Sequence, residues 1–152
     1  MSGECSPGYQ ISNAVAACNF PEFRELCNKF PEVATEFARQ GSEISFKNGG
    51  SERGFWNYSF YASPPLLLVA RASAEHPDKG GEAWEIFQIL LVLGANEDYL
   101  DYYGNTLESW FVNPDKKKCV PSCLREKIEE FLAAEDKKTY ISEVRARLDF
   151  KL

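Results

Sequence analysis

Between Glu85 and Asn96 the apolar residues Ile86, Ile89, Leu90 and Leu93 recur at the spacing of one helix face, while Phe87, Leu91 and Val92 make the other faces apolar as well. This pattern predicts a helix covered by neighbours on more than one side. A second helix is predicted from Cys123 to Ala134, where Leu124, Ile128, Phe131 and Leu132 keep helical spacing among charges. Pro64 to Ala70 reads as the start of another helix, with Pro65 where a missing N–H costs nothing. Ile11 to Cys18 and Pro21 to Lys29 read as two short helices. A final amphipathic helix around Tyr140, Ile141, Val144 and Leu148 is expected to turn Lys137, Lys138, Arg145 and Arg147 to water. The expected fold class is all-α.

Two stretches share a further pattern. Residues 34–43 and 87–96 each run a helix-forming segment into Gly (Gly41, Gly94), then a small residue, then an acid or amide. Each reads as a helix ended by a left-handed glycine and a tight turn. From Glu85 to Thr106 the string EIFQILLVLGANEDYLDYYGNT resembles the ankyrin repeat without a gap, with Gly94, Ala95, Asn96, Asp101 and Gly104-Asn105-Thr106 in register. Glu32 to Asn48 fits more loosely, and Pro64 to Ala70 is similar to the start of an ankyrin first helix. Two features depart from the family: Thr106 to Phe111 lacks its Pro and His, and no glycine follows Ala134.

The resemblance implies an ankyrin-like solenoid of three to four helix-pair units with short β-hairpin turns and a C-terminal capping helix. The single domain then divides into an N-terminal cap and first unit (11–48), an aromatic insertion (49–63), a central unit (64–103), a C-terminal unit (104–135) and the capping helix (136–152). Gly41 and Gly94 lie well beyond the repeat length of about 33 residues. The excess is expected partly before Pro64 and partly as a lengthened loop between Ala70 and Glu85, with a similar loop between Thr106 and Lys127.

Composition narrows the function classes. Hydrophobic residues at 44% and charged residues at 26% suit a folded chain rather than a disordered one. A net charge of −6 repels polyphosphate and anionic lipid, so neither nucleic acid nor membrane is an expected partner. The first residues show no secretory pattern, and the five cysteines, an odd number without framework spacing, suit reduced thiols in cytosol or nucleus.

Catalytic chemistry has few candidates. His76 lies in a stretch of turn residues and reads as a solvated loop side chain. Cys119 and Cys123 are spaced like zinc ligands, but no second pair follows at finger-like spacing, so no metal is expected. No glycine pair precedes a phosphate-loop lysine, so no cofactor is expected either. Lys116, Lys117 and Lys118 read as a solvated loop.

In ankyrin proteins hairpin tips usually contact the partner, so the resemblance points to Glu97, Asp98, Tyr99, Asp101, Tyr102 and Tyr103, and beside them to Trp56 and Tyr58 of the aromatic insertion. Tyrosine suits such a surface because it joins large area to a polar tip. The expectation is a non-enzymatic adaptor or inhibitor that binds a protein with a basic surface, such as a signalling or host factor. The rival readings are a structural subunit docking through its end repeats and, more distantly, a small Cys-dependent hydrolase. Self-association is left open.

Overall fold

The computed structural model describes residues 7–39, 63–101 and 103–148, and all regular structure among them is helical. Helix α1 spans Pro7–Ala16, α2 Phe20–Lys29 and α3 Pro31–Ala38. The Asn19 side chain accepts the Glu22 N–H at 3.2 Å and starts α2. Pro31 then separates α2 from α3, because the residue before proline is pushed out of helical geometry, as Phe30 is (φ −131°, ψ 65°). Helix α4 spans Pro65–Glu75, a 3₁₀ turn Pro77–Lys79, and α5 Gly80–Leu93. The short α6 (Leu107–Phe111) and α7 (Pro114–Lys117) lead to α8 (Ser122–Ala133) and α9 (Lys137–Arg147).

The helices pack in two rows. Helices α1, α4 and α6 follow one another in contact, and alongside them α3, α5 and α8 do the same, with α1 bridging to α3 and α4 to α5. Helix α5 therefore touches α2, α3, α4, α8 and α9. That enclosure is why its sequence is apolar all round: Ile86, Phe87, Ile89, Leu90 and Leu91 are all buried. Phe87 meets Phe131 of α8 edge-on at 5.9 Å, and Phe131 meets Tyr140 of α9 at 5.4 Å. At the start of α5, Gly80 lies so close to the approach of α8 that an added Cβ would sit 2.8 Å from Pro121 Cβ and 2.6 Å from Cys123 Sγ.

Three expectations are changed. The extra residues between Ala70 and Glu85 form no long loop: α4 runs on to Glu75 and α5 begins at Gly80, with only the 3₁₀ turn and its flanking His76 between. These residues extend the two helices instead. Among the described residues there is no strand; the turn after α5 carries the Asp101 N–H to Asn105 C=O bond, 2.9 Å, but no ladder. The last helix does not turn all its cations to water either. Helix α9 folds back on α5, where Arg145 donates to Val92 O at 3.2 Å. Arg39, just past α3, donates to the neighbouring Leu93 O at 3.1 Å. Helix α5 has no basic residue in its own last turn, so these two cations satisfy its orphan carbonyls and face the negative end of its dipole. Gly41 and residues 49–62 of the aromatic insertion, Trp56 and Tyr58 included, lie outside the described residues.

Candidate functional site

The loop from Gly94 to Thr106 is held at both ends before it presents anything. Gly94 takes a left-handed conformation (φ 105°) and ends α5, its N–H on Leu91 O at 3.1 Å and the Ala95 N–H on Leu90 O at 3.0 Å. These two bonds make a Schellman turn, with the buried Ala95 as its hydrophobic contact. Asn96 Oδ1 then accepts the Asp98 N–H at 2.7 Å. At the far end, Thr106 and Ser109 exchange side-chain and backbone bonds in a capping box that starts α6.

Asp101 anchors the middle. Its carboxylate accepts the Tyr103 N–H at 2.9 Å and the Asn105 N–H at 2.8 Å, and receives Arg71 Nη2 of α4 at 2.5 Å. Its side chain is 0% exposed, and that of Arg71 11%. The Arg71 guanidinium also lies 5.6 Å from the Trp110 ring of α6, so the carboxylate ties the loop to two helices. Asp101 was expected at the contact surface. The structure gives it the opposite part, an internal anchor with no surface to offer.

What the anchored loop shows to solvent is Tyr103, 64% exposed, Leu100, 41% exposed, and the carboxylate-bearing Asp98. Tyr99 is half-buried. Glu97 is half-buried too, with Lys137 Nζ 3.8 Å from its carboxylate. Burial pushes the Glu97 carboxyl up from its ordinary range, with Lys137 opposing and Asp98 and Glu108 adding to the rise. The side chain of Tyr102, like Trp56 and Tyr58, lies outside the described residues. Sequence reasoning missed Leu100, though an apolar residue between acids at a turn is a visible signal. It also missed Arg71, whose partnership with a residue one helix away leaves no local trace.

Among the described residues four cysteines are free thiols. The buried Cys18 and Cys27 thiols are pushed up to about 11 and about 12 by burial, so each stays protonated and is a poor nucleophile. Cys119 and Cys123 are exposed, and Cys119 Sγ donates to Asp115 O at 3.4 Å. Among the described residues no three His, Cys, Asp or Glu side chains are placed to hold a metal ion, and no helix is long and apolar enough to cross a membrane. The run of lysines is partly engaged: Lys117 pairs with Glu129, and Lys118 lies 3.7 Å from Asp115.

Comparison with protein-family models, with curated proteins and with solved structures gives no match, so the case for function rests on this geometry.

Proposed function

We propose that the chain is an ankyrin-like protein-binding module, an adaptor or inhibitor without chemistry of its own, that contacts a basic partner surface through the loop after α5. Two rows of packed helices and a glycine-ended central helix support the ankyrin-like part of this reading. One observation carries the functional part. Leu100 and Tyr103 are exposed on a loop whose Tyr103 and Asn105 N–H groups already donate to the buried Asp101 carboxylate. An apolar side chain and a tyrosine held in place lose little entropy on binding, and Asp98 beside them supplies attraction for a cation.

The test compares the immobilised wild type with the Leu100→Ser, Tyr103→Ser double variant. Retained proteins are identified at low and moderate ionic strength. Basic proteins that bind the wild type, weaken with salt and are lost from the variant support the reading, provided both proteins melt alike. Identical retention profiles refute it.

A further inference from the structure

The amino group of Lys137 occupies a site of its own. Nζ donates to Ala134 O at 2.8 Å and to Leu132 O at 3.1 Å, lies 3.8 Å from the Glu97 carboxylate and stands 5.4 Å from the centre of the Phe131 ring. Two carbonyls at the negative end of α8, a carboxylate and an aromatic face are the elements of a site for a primary ammonium. The chain fills it from α9.

Beyond Lys137, α9 is held by the exposed Arg145 bond to Val92 O, by the partly buried Ile141 and Leu148, and by a small buried face. Of its eleven residues only Tyr140 and Val144 are buried, and the Tyr140 hydroxyl is buried with no hydrogen-bond partner. A phenol that must leave water without a partner disfavours docking of the helix that carries it. Before α9 lies a three-residue linker in which Ala134 and Asp136 are extended and Glu135 is a bend, so α9 is joined to α8 by non-helical backbone. We propose that α9 is a strap that opens as a unit ahead of the rest of the fold, latched by Lys137 in this ammonium site, and that its opening frees Glu97 of the recognition loop. A lysine of the bound partner then has the vacated site to enter. That last consequence rests on the reading of the loop given above; the opening of the strap does not.

Hydrogen–deuterium exchange of the full chain, read by mass spectrometry without any partner, separates the two. In the wild type the amides of α9 should exchange well before those of α5. Lys137→Met should speed α9 roughly tenfold, the worth of a partly exposed charge-assisted hydrogen bond, with α5 unchanged. Lys138→Met, whose side chain lies outside the site, should change α9 by less than about twofold. Tyr140→Phe should slow α9 by removing the unpartnered hydroxyl. Equal protection of α9 and α5, equal acceleration of both by Lys137→Met, or no effect of Lys137→Met overturns the strap. If the strap opens as described while the Leu100 and Tyr103 variant keeps every partner, the loop reading fails and the strap stands.

Discussion

Replacing Asp101 by alanine should unfold the protein far more readily than its place in a surface loop suggests. The carboxylate side chain has no exposure, and the change strands three donors: the Arg71 guanidinium and the N–H groups of Tyr103 and Asn105. Removing one member of a buried ion pair costs about 3–5 kcal/mol, because the other charge stays behind without compensation. Whole-domain stability is about 5–15 kcal/mol, so this one residue holds a large share of it. Asp101→Asn keeps an acceptor for the backbone but sets amide hydrogens against Arg71, and should lose about 2 kcal/mol, the value of a hydrogen bond to a charged group. Asp98→Ala, on the exposed part of the same loop, should stay within about 0.5 kcal/mol of the wild type. Urea titration followed by far-ultraviolet circular dichroism gives all three. With a slope near 2 kcal/mol/M, Asp101→Ala should lower the midpoint by about 2 M. Salt should not narrow the gap, since the pair is shielded from solvent. A loss below about 1 kcal/mol for Asp101→Ala, or one matched by Asp98→Ala, would show that the loop is not anchored this way.

Other outcomes follow from neighbouring details. Gly80→Ala should destabilise by about 1–3 kcal/mol, since its Cβ would press on the rigid Pro121 ring, whereas Gly81→Ala meets nothing within 4 Å and should stabilise by up to about 1 kcal/mol; thermal melts that rank the two the other way contradict the packing of α5 on α8. At pH 8, mass mapping of iodoacetamide adducts should find Cys119 and Cys123 modified quickly and Cys18 and Cys27 protected until the protein unfolds. Because the Glu97 carboxyl is raised above its ordinary 4.5, the folded state binds its proton more tightly than the unfolded state, and stability is lost as pH rises from below 4.5 through the raised value. Glu97→Gln should therefore gain on the wild type in melting temperature between pH 3 and pH 7, and a decline over that range would reverse the sign.

The helices were legible where the sequence carries its own boundaries. Helix α5 shows an all-round apolar surface and ends at its glycine as the pattern predicts, although it begins at Gly80 rather than near Glu85, and α2 runs to Lys29 with Pro21 in its first turn. The extension of α4 was misjudged because a repeat length was imposed on the stretch. Ala72, Ala74 and Glu75 are good helix formers, and the first real stop is Pro77. Asp101 was misread for a different reason. A carboxylate among tyrosines looks like surface until the cation that buries it is known, and Arg71 reaches it only through the packing of α4 on α6. The return of α9 to α5 was likewise invisible, since the carbonyl of Val92 that Arg145 seeks is a backbone group without a sequence signature.

The two arginines at the end of α5 also bear on how the chain is made. Arg39 is synthesised before α5 and can wait for it, but Arg145 is added long after Val92, its acceptor. At ordinary elongation rates the ribosome needs roughly three to ten seconds to cover that interval. Within that interval the neighbours of α5 arrive in turn, first α8, whose Phe131 meets Phe87, and then α9. The most apolar helix of the protein is thus one whose packing partners α8 and α9 are both made after it.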